Sequence, residues 1–159
     1  IALEAGMSPG LMYRYFENKN AIIKAIIERQ LESGRGTLEE IKSPEDLVDG
    51  IMHAIERWRS GSSDQMSAPL FLEISAEATR DPEIGAIVHE ADLLIKNHLR
   101  EAMQRTTSTK SMYQDERKAN ARLLLLLCIV EGLAVRSCRE TQLDHEVLRH
   151  ALTQFIAEL

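Results

Sequence analysis

The sequence predicts an all-α fold, and three observations support this expectation. Apolar residues recur at three- and four-residue intervals, as they do along one side of an α-helix. The four prolines and eight glycines fall mainly at apparent element boundaries rather than in the repeated turns of a β protein. No segment sustains the apolar–polar alternation of a half-buried strand. We therefore expect about eight helices, of which the first two are very short.

Capping residues mark the predicted helix starts. Ser8-Pro9, Ser43-Pro44 and Asp81-Pro82 each place a capping side chain before a proline at the first helical position. Asn18 can cap a helix that starts at Lys19. The helix that starts at Lys19 is predicted to be long and to continue to about Ile41.

The composition is that of a globular protein with a sizeable core. The chain has 159 residues, 44% of them hydrophobic and 28% charged, and its formal net charge is −6. This acidic balance argues against unspecific binding of nucleic acid but allows a small local surface that reads DNA.

Cysteine spacing and hydropathy suggest a cytoplasmic protein. Cys128 and Cys138 lie ten residues apart in one predicted helix, about 15 Å along its axis, so they cannot form a disulfide with each other. We expect reduced thiols. The longest apolar run, residues 123–130, is too short to span a bilayer, so no membrane partner is expected.

The segment from Ala121 to Val135 is apolar nearly all round. Such a helix must be buried on several sides. We expect one side to pack inward and the other to pack with the last helix against a second copy, forming a four-helix bundle in a homodimer. The alternative is the central helix of a monomeric bundle. The residues predicted at the dimer interface are Leu124, Leu127, Val130, Leu148, Leu152 and Phe155.

The opening stretch has the pattern of a helix-turn-helix. The pattern predicts a helix end over residues 1–5, a left-handed position of a tight exit at Gly6, and a cap of the next short helix at Ser8. In this motif the second helix enters the major groove of DNA with its N-terminal residues at the base edges.

Residues 5–19, Ala-Gly-Met-Ser-Pro-Gly-Leu-Met-Tyr-Arg-Tyr-Phe-Glu-Asn-Lys, closely resemble the DNA-binding signature of the TetR family of bacterial transcriptional regulators. The likeness covers about the first thirty residues, and residues 71–82 and 131–133 are similar to further segments of that family. Family members carry a first helix and part of a second before this point. We expect the chain, which starts without them, to bind DNA poorly as an isolated fragment.

The resemblance implies a division of the chain. Residues 1–18 would be a partial helix-turn-helix DNA-binding domain whose start is missing, followed by a linking helix over residues 19–41. Residues 42–159 would be an all-helical domain for effector binding and dimerisation. The implied partners are a palindromic operator DNA, a second copy of the chain, and a small, mostly apolar organic effector.

Residues at the leading edge of the second short helix are the predicted DNA contacts. Ser8 can meet a phosphate at the helix N-terminus, Gly10 permits close backbone approach, and Leu11 can touch a thymine methyl group. A cation at a helix start, such as Lys19, is unfavourable unless an anion is near, and a DNA phosphate would supply one. The predicted DNA-binding residues are Ser8, Pro9, Gly10, Leu11, Tyr13, Arg14, Tyr15 and Lys19.

Apolar residues on the middle helices are the predicted effector contacts. Methionines suit an adaptable cavity, although each such residue alone is more often ordinary core. The predicted effector-pocket residues are Met52, Ile55, Trp58, Met66, Phe71, Ile74, Leu94 and Leu126. Glu131 is expected to pair with Arg122 or Arg136. The further polar candidates are His89, His98, Glu73 and Glu131.

The sequence favours a repressor that is released by its effector over two alternatives. No nucleophile elbow, phosphate-binding loop, zinc-protease motif or metal-binding spacing is present, so we predict no enzyme, no cofactor and no metal. A helical homodimeric scaffold, for interaction or ligand binding without a DNA role, would explain the apolar helix. It would leave residues 8–16 without a purpose.

Overall fold

A computed structural model describes residues 14–60, 66–106, 116–140 and 142–158. These residues form helices and connecting turns, with no strand among them, and the all-α prediction is confirmed. The two short helices predicted up to about Tyr15 lie outside the described residues, except for Arg14 and Tyr15, which form a turn. The helices are α1 (Lys19–Glu40), α2 (Pro44–Ser60), α3 (Ala68–Ala78), α4 (Pro82–Thr106), α5 (Glu116–Arg139) and α6 (His145–Glu158).

The described helix starts follow the predicted capping pattern. Asn18 Oδ1 accepts a hydrogen bond from the backbone N–H of Ala21 at 2.8 Å. Ser43 Oγ accepts from the N–H of Asp46 at 3.1 Å, and the Asp46 carboxylate accepts in return from the N–H of Ser43. Asp81 Oδ1 accepts from the N–H of Glu83 at 2.9 Å. These bonds satisfy N–H groups that the first helical turn leaves without partners.

Helices α1 and α4 lie side by side and run in the same direction. At their N-terminal ends, Asn20 Nδ2 donates to Glu83 Oε2 at 2.7 Å. At their C-terminal ends, Arg105 donates to the backbone carbonyls of Ile41 at 3.1 Å and Leu38 at 2.6 Å. These two carbonyls belong to the end of α1, where backbone acceptors lack helical partners. The pair is therefore fixed at both ends.

Two apolar clusters form the core. One holds Ile23 and Ile27 of α1, Ile74 of α3, and Ile84 and Ala91 from the first half of α4. The other is larger and joins α2, α5 and α6 with the second half of α4, through residues that include Ile55, Met103 and Leu152. Helix α4 thus contributes to both clusters, and the boundary between them crosses its middle.

Helix α5 has one buried side and one exposed side. Leu123 and Leu126 are 5% and 0% exposed, whereas Leu124 and Leu125 are 58% and 52% exposed. The inward side packs in the larger cluster with α2 and α6. In the parts of the chain that the structure describes, no helix has the length and apolar character of a membrane span.

Candidate functional site

A cavity of about 510 Å³ lies where the two apolar clusters meet. Helices α1, α3 and α4 form most of its wall, and the end of α2 and the middle of α5 complete it. This volume is within the range of pockets that bind small organic molecules, about 300–1,000 Å³.

Most of the wall is apolar. The apolar side chains come mainly from the two clusters. The apolar wall consists of Ile27, Leu31, Trp58, Met66, Phe71, Ile74, Ala78, Val88, Ala91, Ile95, Leu127 and Val130. Such a wall favours a ligand whose body is hydrophobic.

Two aromatic rings stack in this wall. The ring centroids of Trp58, at the end of α2, and Phe71, in α3, lie 6.4 Å apart with 21° between the ring planes. Both side chains are half-buried. Stacked rings keep their outer faces for a further aromatic group, and the faces of aromatic rings carry negative charge density.

Helices α3 and α4 approach closely beside the cavity because Gly85 has no side chain. A Cβ atom at Gly85 would lie 3.0 Å from the backbone oxygen of Ala78. Both residues are in the wall. The glycine therefore sets how near the two helices can come at this end of the cavity.

Four polar side chains of the wall are occupied by other protein groups. Gln30 Oε1 accepts from the N–H of Met66 at 3.2 Å, and Ser75 Oγ donates to the carbonyl of Phe71 at 2.8 Å. Thr79 Oγ1 donates to the carbonyl of Ala76 at 2.7 Å. The carboxylate of Asp92 forms an ion pair with Lys96 one turn later. These bonds use the donor hydrogens of the two hydroxyl groups, whose oxygens can still accept, and they leave the amide NH₂ of Gln30 as a donor for a ligand.

His89 and Glu131 are the remaining polar side chains of the wall. Both are exposed, and neither forms a hydrogen bond or an ion pair with any other residue that the structure describes. Arg136, which was expected to pair with Glu131, instead binds Glu140 at 2.9 Å. The two side chains offer an imidazole and a carboxylate to a molecule in the cavity.

The cavity contains half of the predicted effector residues, namely Trp58, Met66, Phe71 and Ile74. Met52, Ile55 and Leu126 do not line it, because they are 4%, 0% and 0% exposed within the larger cluster. Leu94 does not line it either and is 43% exposed on the surface of α4.

Several wall residues were not predicted from the sequence. Ile27, Gln30 and Leu31 lie in α1, which we predicted as a link. Their spacing of three and four residues indicates one side of a helix, but only tertiary packing shows that this side meets α3 and α4. Leu127 and Val130, which are also predicted at the dimer interface, line the cavity.

The other predicted interface residues are divided between the surface and the interior. Leu124 is exposed, whereas Leu127 and Leu152 are 9% and 3% exposed in the core of their own chain. Leu148 and Phe155 are half-buried against the same cluster. Leu125 and Val147, which were not predicted, are 52% and 66% exposed. The exposed apolar side of α5 therefore includes Leu124 and Leu125, and Val147 is exposed on α6.

Three of the predicted DNA-binding residues are described. Arg14 and Tyr15 are exposed, and Tyr15 is 74% exposed. Lys19 Nζ lies 2.7 Å from Glu77 Oε1 of α3, so a protein carboxylate supplies the anion at this helix start. The hydrogen bonds from Lys19 and then Arg80 lower the pKa of Glu77. Ser8, Pro9, Gly10, Leu11 and Tyr13 lie outside the described residues.

Comparison with known proteins gives a family match at the start of the chain. Residues 1–26 match the family model described as bacterial regulatory proteins, tetR family. The matched range includes all eight predicted DNA-binding residues. The predicted resemblance to the TetR family is confirmed, and the match supports the helix-turn-helix head.

Curated relatives give a second, weaker match over a longer range. The HTH-type transcriptional regulator UidR of Escherichia coli K12 is 26% identical over 126 residues, and the proteins of the same name from Escherichia coli O157:H7 and Shigella flexneri match equally. The alignment covers 79% of this chain and spans 63% of the length of these relatives. No solved structure matches the chain.

Proposed function

We propose that this chain, whose first residues match the TetR family, belongs to a DNA-binding transcriptional repressor. In this proposal it acts as a homodimer and leaves a palindromic operator when a small, mostly apolar organic effector binds. One observation carries the proposal: the apolar cavity includes α1 in its wall, and α1 begins at Lys19, within residues 1–26, the segment that matches the family model of regulatory proteins.

The DNA-binding role is supported by the family match and by exposure. Residues 1–26 match a family of regulatory proteins, and Arg14 and Tyr15 are available at the surface. Arg14 can donate to a phosphate or to a guanine edge, and the Tyr15 hydroxyl can donate to a phosphate. With a net charge of −6, the chain would bind DNA through this local surface and not through its overall charge.

Helix α1 would connect the cavity to the DNA-binding segment. Ile27 and Leu31 contribute to the wall about two to three turns after the start of the helix. A ligand that packs better against a different position of α1 would shift the population toward that position. The DNA-binding segment precedes α1 in the chain and would move with it, which changes the affinity for the operator.

A homodimer would give the protein two DNA-binding heads. Leu124 and Leu125 give α5 an exposed apolar face, and Val147 of α6 is exposed as well. Apolar faces of this kind are typical of subunit contacts, and a two-fold contact would use the same face on both copies. Two heads related in this way match the two half-sites of a palindrome, about one helical turn apart.

Footprinting with the complete protein tests the proposal. We expect protection of a palindromic segment in DNA upstream of its own gene or of a neighbouring gene, and loss of protection when a bound effector is added. A thermal-shift screen of lipophilic metabolites would identify the effector, because a ligand at a hundred times its Kd adds about 2.7 kcal/mol to stability. Absence of any protected palindrome at low salt, together with a stable dimer, would support the scaffold alternative instead.

A further inference from the structure

We propose that the cavity selects an organic cation, with an apolar body and one positive charge, over an anion or a neutral molecule of the same shape. This inference rests on the proposed function, because it names the class of effector that the cavity would take. It follows from the charges of the wall, the position of Glu131 and the stacked aromatic pair.

The charged groups of the wall leave one unbalanced negative charge. Among the wall residues that the structure describes, none is a lysine or an arginine, and the carboxylates are Asp92 and Glu131. Asp92 is neutralised by its ion pair with Lys96. Glu131 has no ion pair with any residue in the described parts of the chain. A bound anion would therefore meet an uncompensated carboxylate, whereas a bound cation would supply the missing partner.

Glu131 is placed to act together with the apolar wall. It lies one helical turn after Leu127, and Val130 precedes it, so these three wall residues share one side of α5. An apolar ligand body that packs on Leu127 and Val130 would have its charged group beside the carboxylate. Covering that carboxylate with the ligand reduces its contact with water, which strengthens the attraction to a cation and increases the repulsion of an anion.

The aromatic pair is a second reason why the cavity would prefer a cation to an anion. The faces of Trp58 and Phe71 carry negative charge density, and a cation within about 6 Å of a ring centroid is attracted to it. Both rings belong to the wall. His89, the remaining polar side chain without a described partner, can accept a hydrogen bond from a protonated amine through its unprotonated ring nitrogen.

Tetraphenylphosphonium and tetraphenylborate provide a direct test, because the two ions have nearly the same shape and opposite charge. Trp58 is the single tryptophan of the sequence, so its fluorescence reports on the cavity wall. We would titrate the chain with each ion in sodium buffer and confirm the affinities by calorimetry. We expect the cation to bind at least about tenfold more tightly than the anion.

Substitution at Glu131 tests the residue assignment. Glu131→Gln keeps the shape of the side chain and removes its charge, and we expect it to weaken cation binding about fivefold, as for a partly exposed ion pair. Glu73→Gln is the matched control, because Glu73 is exposed on α3 outside the cavity wall. It should leave the affinity unchanged. Circular dichroism would verify that both variants are folded.

Each outcome separates this inference from the proposed function. Tight cation binding that Glu131→Gln weakens supports the inference. Equal binding of both ions, stronger binding of the anion, or no effect of Glu131→Gln overturns it and leaves the cavity as a ligand site. If neither ion binds, the inference fails and so does the proposed effector pocket for molecules of this size, while DNA binding by the complete protein remains a separate measurement.

Discussion

Lys19 Nζ lies 2.7 Å from Glu77 Oε1, so an ion pair joins the first residue of α1 to the last turn of α3. Arg80 contacts the other carboxylate oxygen of Glu77 at 3.2 Å. The next residue, Asn20, binds Glu83 of α4. The start of α1 is therefore attached to the junction of the two helices that form much of the cavity wall, and a shift at that junction would reach the start of α1 directly.

Glu77 should make stability depend on pH in the acidic range. Its pKa in the folded protein is lowered, chiefly by the hydrogen bond from Lys19. The stability that this carboxylate contributes is present above its ordinary pKa, about 4.3, and is lost as the pH falls through the lower folded value. The Tm difference between wild type and Glu77→Gln should therefore narrow below about pH 4.3, as measured by calorimetry.

Two controls accompany this pH experiment. Glu73→Gln, on the same helix but with no ion pair to a described residue, should change Tm little at any pH. In an NMR titration of the Glu77 carboxyl group, Lys19→Met should raise the midpoint toward the ordinary value. A midpoint that does not move would contradict the ion pair.

Glycine substitutions should have opposite effects in α1 and α4. A Cβ atom at Gly34 or Gly36 would meet no atom within 4 Å. Gly34→Ala and Gly36→Ala should each raise the free energy of unfolding by about 0.5–1 kcal/mol through helix propensity. Gly85→Ala should lower it, because its Cβ would press on the Ala78 oxygen and a backbone atom cannot rotate away. Chemical denaturation measures all three, and an equal gain at Gly85 would rule out the close approach of α3 and α4.

Leu124→Glu should convert the proposed homodimer to a monomer. The side chain is 58% exposed in the single chain, so a carboxylate there costs the isolated fold little but would be buried between two copies. Analytical ultracentrifugation should show loss of the dimer. Leu93→Glu, at an exposed leucine of α4, is the control and should leave the dimer intact. A dimer that survives Leu124→Glu would place the subunit contact elsewhere.

Among the predicted effector residues, alanine substitutions in the core and at the surface should change the free energy of unfolding by different amounts. Leu126 is 0% exposed, and Leu126→Ala should cost about 2–5 kcal/mol by leaving a void. Leu94 is 43% exposed, and Leu94→Ala should change stability by no more than about 0.5 kcal/mol. Urea denaturation gives both values. A small cost at Leu126, with altered tetraphenylphosphonium binding, would show that this residue lines the cavity after all.

Local signals in the sequence predicted where three of the six described helices begin. Asn18, Ser43 and Asp81 cap their helices as predicted, because capping involves a side chain and backbone groups only two or three residues away. Ser67, which accepts a hydrogen bond from the N–H of Leu70, is a further cap that was not predicted.

The buried side of α5 and the membership of the cavity wall could not be predicted in this way. Leu124 and Leu127 are equally apolar, and only the packing of α2 and α6 decides that one is exposed and the other buried. Ile55 and Trp58 share one stripe of α2, yet Ile55 lies in the core and Trp58 reaches the cavity. Both distinctions depend on contacts between residues that are distant in sequence.

The salt dependence of duplex binding by the complete protein tests the central claim, that this chain belongs to a DNA-binding regulator, most directly. We expect log affinity to fall steeply and linearly with log salt concentration, by about 0.9 per phosphate contacted. Arg14→Ala should weaken binding. If Arg14 contacts a phosphate, the substitution should also reduce the slope of log affinity against log salt concentration by about 1. Lys24→Ala, which removes a cation paired with Glu28, should change neither. A flat salt dependence, or equal effects of the two substitutions, would contradict the account.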